Sequence, residues 1–425
     1  RRNNSDLLID NMRFINNRVH QSSYHSGGGA IYIERGNSGG GIGNIRIRNS
    51  QFISNSVTDF TFPDNNAFGG AICIAPSYAE GNFPIKDGRV DFEPVLIEGC
   101  LFVNNNAYSW DGDTYTWGAA IQSQSNVHIE NSLFYGNTSD DNHAGVIGLQ
   151  PFWWTENSVD GLSGISSLVN NTFGPGPEQK QLFIMHGYES GAEYNIYNNI
   201  FSRSGSISES SIAVEILSPN KLWANNNLFE SGVKPYNADG SIEIIGTESD
   251  LVGDARFRNI GQNDYSLLFN SPAIDAGITE IENNLNAPKE DIRGFYRVGS
   301  VDIGAFEFGA SKYLLSLSDD CTTCQTISGN RDTTFVNLGQ EVSFTLETKD
   351  IDGNLVNSNE DVTWNVYPSQ KYISIIESDD NTSGGTASVK LKVTNSARGK
   401  GFKFRVESQI GTETIFRSEL YVVEQ

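Results

Sequence analysis

Ile47-Arg-Asn-Ser-Gln-Phe-Ile-Ser-Asn55 is the stretch that decides the fold, because its alternating apolar residues followed by Asn-x-x-Phe recur along the chain. A second motif, Gly-Gly-Ala-Ile or a close variant, follows the first four copies, at 28–31, 69–72, 118–121 and 144–147. A unit this short cannot bury its apolar face alone, so the units must stack, with their variable length absorbed in outer loops. The seven copies are Asn11 with Phe14, Asn49 with Phe52, Gly99 with Phe102, Asn131 with Phe134, Asn170 with Phe173, Asn198 with Phe201, and Asn226 with Phe229.

The stacked repeats predict an all-β solenoid, a parallel β-helix, over residues 1–309. Its coils would run to about residue 245, and a closing cap over about 246–309 would protect the exposed edge of the last coil. We expect each Phe to stack on the Phe of the next coil, and each motif Asn to hydrogen-bond along the stack in a ladder. Small Gly and Ala residues allow tight turns, and almost no helix is expected.

The repeat pair resembles that of a known family of surface proteins. Phe-x-x-Asn, at Phe14 to Asn17, Phe52 to Asn55, Phe102 to Asn105 and Phe134 to Asn137, alternates with Gly-Gly-Ala-Ile as in the chlamydial polymorphic outer-membrane proteins. Those proteins are adhesins with β-helical passenger domains. Residues 271–277, 291–294 and 301–307 resemble the closing segment of right-handed β-helix repeat proteins of Bacteroidota. The resemblance implies a right-handed coil, a Gram-negative cell surface and type IX secretion.

The closing segment holds several acidic and basic residues that could be mistaken for a catalytic set. We expect them to form cap-stabilising salt bridges and turn hydrogen bonds, because a terminal cap rich in Pro, Gly and charge must hold itself together. These residues are Asp275, Asp291, Arg293, Arg297, Asp302 and Glu307.

Residues 312–425 predict a separate immunoglobulin-like β-sandwich. Alternating apolar stretches begin near Glu341, Val362, Ala387, Phe402 and Leu420, with turn signals between them. This region resembles bacterial immunoglobulin-like domains of surface proteins, with Trp364 as the core aromatic residue. Asp350, Asp352 and Asn354 begin a calcium-loop spacing but do not complete the EF-hand pattern, so they predict a plain turn.

Composition narrows the class of protein. The formal net charge is −23, from 29 basic and 52 acidic residues, which argues against a nucleic-acid partner. A negative surface suits an extracellular protein and is compatible with Ca²⁺, but no cofactor is required. No stretch is apolar enough for a transmembrane segment. Since Arg1 is not a natural start, we expect further domains of the same polypeptide.

The four cysteines are too few for a disulfide framework. Cys73 and Cys100 lie in apolar strand patterns and are expected in the core. Cys321 and Cys324 form a Cys-x-x-Cys without a second pair to complete a zinc site, so a local disulfide in an oxidising compartment is the favoured interpretation.

One row of loops alternates aromatic and acidic residues and is the candidate glycan-binding site. Flat aromatic faces pack on sugar C–H groups, and carboxylates accept hydrogen bonds from hydroxyls; the alternative is that the loops only pack on one another. The candidates are Tyr24, Phe62, Trp110, Asp111, Asp113, Tyr115, Trp117 and His143. A second aromatic loop contains Phe152, Trp153 and Trp154.

The sequence therefore predicts a non-enzymatic adhesin or stalk at the extracellular face of a Gram-negative bacterium, binding glycan or another surface component. A carbohydrate-active β-helix enzyme is the second hypothesis, with His25, Asp111, Asp113 and His143 as its candidates. Against it stand the scattered lysines and the absence of paired acids such as Asp-x-Asp along a strand. A purely structural spacer is the third.

Overall fold

The computed structural model describes residues 6–21, 25–35, 44–59, 66–76, 85–86, 89–91, 94–109, 116–139, 145–149, 162–175, 180–185, 191–202, 211–217, 221–238, 242–297, 299–310, 314–319, 326–327, 333–349, 354–358, 360–367, 371–394, 396, 403–410 and 413–422. The chain divides into two compact units, Arg1–Phe308 and Gly309–Gln425. Both are nearly all-β, as expected. The named helices of the described part are three short 3-10 segments, Thr247–Ser249, Ile260–Gln262 and Glu282–Asn284.

Three long parallel sheets build the first unit. Sheet A contains, in pairing order, Leu7–Asp10, Ile45–Arg48, Val95–Glu98, Val127–Glu130, Leu162–Val169, Gly191–Tyr197, Lys221–Asn225 and Glu243–Ile245. Sheet B contains Arg13–Ile15, Gln51–Ile53, Leu101–Val103, Leu133–Tyr135, Thr172–Phe173, Ile200–Phe201, Leu228–Phe229 and Leu251–Val252. Sheet C contains Ile31–Arg35, Ile72–Pro76, Ile121–Ser123, Ile147–Leu149, Lys180–Met185, Ile212–Leu217 and Lys234–Ala238.

Two shorter parallel sheets lie between B and C along the chain. Sheet D contains Arg18–Gln21, Ser56–Asp59, Asn106–Ser109 and Thr138–Ser139, and sheet E contains His25–Gly27, Asn66–Phe68 and Thr116–Trp117. The chain visits A, B, the short sheets and C in turn, then returns to A beside the strand it left. This topology is compatible with a parallel β-helix. A short antiparallel pair, Ile85–Lys86 with Arg89–Asp91, joins sheet A through Leu162–Val169.

The motif phenylalanines form one continuous stack inside the first unit, as the sequence predicts. Ring centroids of successive residues from Phe14 to Phe229 are 4.7–5.3 Å apart, with interplanar angles of 3–12°. The register explains the stack, because Phe52 pairs with Phe14 on one side and with Phe102 on the other. Isoleucines of sheets A and C pack around this column, including Ile47, Ile97 and Ile72.

The motif Asn has a different role from the predicted one. It is the bend residue between sheets A and B and adopts a left-handed backbone, with φ of 49–57° in each motif Asn from Asn11 to Asn226 and 60° in Gly99. Asn tolerates this conformation better than most residues, and Gly adopts it freely, which explains the Gly at position 99. The prediction that this Asn forms the ladder is therefore wrong for most copies.

Neighbouring asparagines form the ladders instead. At Asn105, Oδ1 accepts hydrogen bonds from the backbone N and from Nδ2 of Asn55, both at 3.0 Å. Its own Nδ2 donates to Asn137 Oδ1 and to the carbonyl of Phe52, both at 2.9 Å. Each member thus satisfies backbone groups that a bend leaves without sheet partners. One ladder contains Asn17, Asn55, Asn105 and Asn137, and the other contains Asn171, Asn199 and Asn227.

The predicted closing cap lies along the side of the first unit as well as near its last strands. We call residues 253–308 the covering segment. It includes a short antiparallel pair, Phe257–Asn259 with Asp264–Leu267. Ala273 and Ile303 of this segment pack on Ile200 and Leu228, which lie in the two strands before the last one of sheet B. The segment therefore shields outward-facing apolar residues of earlier coils, a role that the sequence prediction did not include.

The bend asparagines hold the covering segment in place. Asn226 Nδ2 donates to the carbonyl of Ala276 at 2.9 Å, and Asn198 donates to Ile278 at 2.8 Å. Asn170 Nδ2 donates to the carbonyl of Asp302 at 2.9 Å. Because the left-handed bend turns these side chains outward, the same residue shapes the corner and anchors the segment outside it.

The two described cysteines are buried and free, as expected for core residues. Burial raises the pKa of the Cys73 and Cys100 thiols to about 12, so both stay protonated at neutral pH. Cys321 and Cys324 lie outside the described residues, and their disulfide stays a prediction.

The second unit contains two sheets. One is antiparallel, with Leu314–Asp319, Glu341–Lys349, Thr386–Val393 and Ile373–Ser378; the other contains Thr326–Ile327, Thr333–Val336, Glu413–Val422, Lys403–Ile410 and Val362–Tyr367. Trp364 belongs to the core with Phe344 and Leu391, as predicted, and its indole N–H donates to the carbonyl of Asp379 at 2.9 Å. The predicted turn at 350–353 lies outside the described residues.

The Phe stack gives a first test of the fold. Phe102 is fully buried between Phe52 and Phe134, so we expect Phe102→Ala to lower the free energy of unfolding by about 3–5 kcal/mol through lost contacts and a residual cavity. Urea denaturation of the full chain measures the loss. Phe269, whose surface is 79% exposed, provides the control, and Phe269→Ala should change stability by less than about 0.5 kcal/mol. Equal effects of the two substitutions would contradict the stack.

Candidate functional site

The predicted loop row falls mostly outside the described residues. Trp117 is the member that the structure describes, and it is buried in sheet E with 2% of its surface exposed. Its ring is therefore shielded from solvent. The rest of the row stays a prediction, as does the second aromatic loop at 152–154. Of the enzyme candidates, His25 lies in a described strand without a described side chain, and Asp111, Asp113 and His143 lie outside the described residues.

A cluster of charged residues lies on the outer face of sheet A. Side chains alternate between the two faces of a strand, and Ile47, Ile97 and Ile129 occupy the buried face. The residues that flank these isoleucines consequently point outward. We call the outward set Asp10, Arg46, Arg48, Glu98, His128 and Glu130 the outer-face patch.

Strand register places the charges of the patch in two columns. Glu98 pairs with Arg48 on one side and with Glu130 on the other. Leu96 separates Arg46 from His128 in the neighbouring column. Adjacent strands are about 4.8 Å apart, so Glu98 and Glu130 are like charges at close range. The register that aligns the core isoleucines therefore also brings two carboxyl groups together.

Each of the patch acids has a basic partner. Arg46 Nε lies 3.4 Å from Glu98 Oε2, and His128 Nε2 lies 3.0 Å from Glu130 Oε2. The carboxylate side chains of both pairs are partly shielded, with 24% of Glu98 and 20% of Glu130 exposed. At one end of the patch, Arg48 Nη2 contacts Asp10 Oδ2 at 2.8 Å.

The two ends of the patch differ in proton affinity. Burial raises the pKa of Glu98, the negative charge of Glu130 raises it further, and Arg46 opposes both effects. The hydrogen bond from Arg48 instead lowers the pKa of Asp10. A carboxyl group that holds its proton more tightly beside an ion-paired carboxylate can donate a hydrogen bond or a proton while its neighbour accepts one. The patch therefore places hydrogen-bond donors and acceptors side by side, and it has the residue types of an acid–base pair.

Sequence reasoning missed this patch because it looked for acids along one strand. Glu98 and Glu130 are 32 residues apart in the chain and meet only through strand register. The signal was present in the repeat alignment: Arg48, Glu98 and Glu130 each precede the bend residue of their motif. An alignment of the repeats by bend residue would have placed them in one column.

A second charged cluster lies inside the covering segment. Arg297 Nη1 contacts Glu307 Oε2 at 2.9 Å, and both side chains are almost fully buried. Asp291 Oδ2 accepts from Arg293 Nε at 2.8 Å, and Asp302 Oδ1 accepts from the backbone N of Asp275 at 2.7 Å. These are the salt bridges and turn hydrogen bonds that the sequence predicts for this set.

This cluster also joins the covering segment to the coils. Arg297 Nη2 donates to Asn131 Oδ1 at 2.7 Å, and Glu307 Oε2 accepts from the backbone N of Asp302 at 3.0 Å. Burial raises the pKa of Asp302 to about 7, although two backbone N–H groups that donate to it act in the opposite direction. The cluster therefore holds the covering segment on the coils. Of these two charged clusters, the outer-face patch is the one whose side chains are partly exposed to solvent.

No protein-family model matches the chain, and neither a curated protein nor a solved structure matches it. Within the described residues, no group of three or more His, Cys, Asp or Glu side chains is arranged to hold a metal ion. None of the described helices is long and apolar enough to cross a membrane. Function must therefore be argued from the residues of this chain.

We expect Asp302 to make the attachment of the covering segment dependent on pH. Its pKa is about 7 in the folded protein, against an ordinary value of 3.8, so between these values the folded state binds more protons than the unfolded state. We expect the contribution of Asp302 to stability to be complete below pH 3.8 and to be lost as pH rises toward 7, by at most about 1.4 kcal/mol per pH unit.

Urea denaturation between pH 4 and 8 measures this dependence in the native chain and in Asp302→Asn, which cannot titrate. The difference in unfolding free energy between the two should decrease as pH rises. Glu282 is an exposed acid of the same segment, and Glu282→Gln should keep the native pH profile. A constant difference between native chain and Asp302→Asn would refute the assignment.

Proposed function

We propose that this chain is part of an extracellular, non-enzymatic adhesin or stalk of a Gram-negative bacterium, built on a right-handed parallel β-helix with an immunoglobulin-like domain after it. The continuous Phe stack is the observation that carries the proposal. Because the rings from Phe14 to Phe229 each add one coil, the repeated residues generate length and stiffness and leave the outer surface for contacts. A glycan or another surface component is the proposed ligand.

The outer-face patch supplies polar groups for such a ligand. Arg46 offers N–H donors, and Glu98 and Glu130 offer carboxylate acceptors, all on a regular β surface. The predicted aromatic loop row would add stacking surfaces, as at other sugar sites. A partly shielded set of donors and acceptors favours recognition of hydroxyl groups, because water competes less well there than at full exposure.

Binding without cleavage is the expected outcome with polysaccharides. The purified chain is incubated with neutral and uronate polysaccharides, and bound protein and new reducing ends are measured in the same tubes. Arg46→Ala should weaken binding roughly tenfold, since a hydrogen bond from a charged group contributes about 1.5–3 kcal/mol. Glu243→Gln alters an exposed acid at the far end of sheet A and should bind like the native chain. Equal binding by native chain and Arg46→Ala would remove the patch from the proposal, and the absence of any binding would favour a structural spacer.

A carbohydrate-active enzyme is the second candidate, favoured by the in-register pair Glu98 and Glu130. Retaining glycosidases use two carboxyl groups about 5–5.5 Å apart, one protonated and one ionised. The raised pKa of Glu98 and the His128 partner of Glu130 match this division of roles, with Glu98 as acid and Glu130 as nucleophile.

The enzyme hypothesis has its own test in the same assay. If new reducing ends form, Glu98→Gln and Glu130→Gln should each reduce their rate by at least about a hundredfold, as for loss of a general acid or nucleophile. Both variants should still retain bound polysaccharide. Cleavage that survives both substitutions would place the chemistry elsewhere, and no cleavage by the native chain leaves the adhesin as the better account.

A further inference from the structure

The outer face of sheet D combines an open aromatic ring with hydroxyl, amide and guanidinium groups. Val57 and Ala107 are fully buried, so the residues on either side of them in each strand point outward. Strand register arranges these outward residues in columns that run along the stack of coils. One column contains Arg18, Ser56, Asn106 and Thr138, and the next contains His20, Thr58 and Tyr108.

Tyr108 presents an exposed aromatic ring on this face. Its surface is 39% exposed, and it has no hydrogen bond or ring contact with another described residue. Other tyrosines of the first unit have such partners: Tyr135 packs on Tyr265 with 5.1 Å between ring centroids, and Tyr236 donates to Asp250 at 2.6 Å. An exposed ring with an apolar face and a polar hydroxyl is a rigid anchor for a ligand.

Short polar side chains lie between Arg18 and Tyr108 on the same face. Ser56, Thr58 and Asn106 are each partly exposed. Asn106 Nδ2 donates to Thr138 Oγ1 at 2.5 Å, which fixes the orientation of that amide. Hydroxyl and amide groups of this kind hydrogen-bond adaptably and lose little side-chain entropy on binding. The face therefore favours a ligand with many hydroxyl groups, such as a polysaccharide.

The charge of this face selects among polysaccharides. Arg18 is exposed and has no acidic partner among the described residues, whereas Arg46 and Arg48 of the outer-face patch contact Glu98 and Asp10. No acid occurs among the outward side chains of sheet D that the structure describes. An unpaired guanidinium binds a carboxylate with two hydrogen bonds. A sugar that bears a carboxylate is therefore attracted to this face.

The local charge decides this attraction, although the whole chain has a formal charge of −23. Salt screens exposed charges that are more than about 8 Å away. An anionic polymer is consequently attracted where the nearby side chains are basic or neutral, as on sheet D. The carboxyl pair Glu98 and Glu130 of the outer-face patch disfavours the same polymer, because like charges repel it there.

The spacing on this face favours a chain over a single sugar. Arg18 and Asn106 are two coils apart, about 10 Å along the stack, and Tyr108 lies two residues beyond Asn106, about 7 Å along its strand. A ligand that contacts both the guanidinium and the ring must therefore extend across three coils. We propose that the outer face of sheet D binds a carboxylate-bearing polysaccharide, with a carboxylate on Arg18, a sugar ring on Tyr108, and hydroxyl groups on Ser56, Thr58 and Asn106.

This inference rests on the proposed adhesin function and deepens it, because it names a class of glycan and a surface separate from the outer-face patch. Three ligands test it: alginate, which is a polyuronate, alginate esterified at its carboxyl groups, and a neutral polysaccharide. Isothermal titration calorimetry of the full chain measures their affinities. The native chain should bind alginate at least about tenfold more tightly than the ester, since the ester loses the charged hydrogen bonds to Arg18. High salt should reduce this difference.

Variants of sheet D identify the surface. Arg18→Ala should weaken alginate binding at least about tenfold and remove the preference over the ester. Arg13→Ala removes another exposed arginine, from sheet B, and should bind like the native chain. Tyr108→Ala should weaken alginate binding by up to about tenfold through loss of the ring contact, whereas Tyr108→Phe keeps the ring and should stay close to the native affinity. Thermal unfolding of each variant should match the native chain, because all three positions are exposed.

Equal binding of alginate and its ester, native-like alginate binding by Arg18→Ala or Tyr108→Ala, or equal losses from Arg13→Ala and Arg18→Ala would each overturn the proposal. The adhesin proposal is tested separately by Arg46→Ala with the neutral polysaccharide. If that variant binds more weakly while the Arg18 and Tyr108 variants keep alginate binding, the adhesin proposal stands and the sheet D surface is removed from it. No binding of any of the three polysaccharides would overturn both.

Discussion

A strand in a parallel coil cannot satisfy its own backbone, because its N–H and C=O groups point along the stack toward the coils before and after it. The first unit depends on this constraint. Register between coils fixes where every side chain lies, as Phe52 between Phe14 and Phe102 shows. A slip of one residue would turn the core face outward. At the bends, the sheet hydrogen bonds are interrupted. Asn side chains there donate to backbone carbonyls that would otherwise lack a partner, so the ladders continue the hydrogen bonding between coils.

The sequence predicted those features that repeat and missed those that arise from register between distant repeats. The Phe column could be predicted because one large apolar residue per repeat can be buried only in the interior that the stacked repeats share. The ladder was expected at Asn49 and its equivalents, but their left-handed backbone turns them outward. Asn55 and Asn171 hold the ladder positions. The position of an Asn within a bend decides whether it joins a ladder or holds the covering segment. Composition does not reveal that position.

The candidate site shows the same limit. Glu98 and Glu130 each follow the core isoleucine of their repeat, in two successive repeats. Aligning the repeats would therefore have predicted that the two carboxyl groups are close. A search for Asp-x-Asp within one strand could not find them. The covering segment could be recognised by its Asp and Arg residues, and its salt bridges match the expectation. Its position could not be recognised, since the contacts of Asn170 and Asn198 with Asp302 and Ile278 join residues 80 or more positions apart. An irregular segment that packs on distant residues produces no periodic pattern in the sequence, so its position could not be predicted from one.

A directional ladder also explains why ends matter in such a fold. Each amide both accepts and donates, so a column of asparagines needs a donor from another residue at one end and an acceptor from another residue at the other. Aspartate is the residue that can close the donor end, because it offers acceptors alone, and Asp250 does so while also holding the Tyr236 hydroxyl. Burial raises the pKa of Asp250, whereas the hydrogen bonds from Tyr236 and Asn227 act against that rise, so the interactions that end the ladder also favour the charged form needed to end it. At the acceptor end of the same ladder, Asn171 Oδ1 accepts from the backbone N of Ser132 at 2.9 Å. A serine therefore supplies the donor without bringing a charge to a buried position, as a Lys or Arg would.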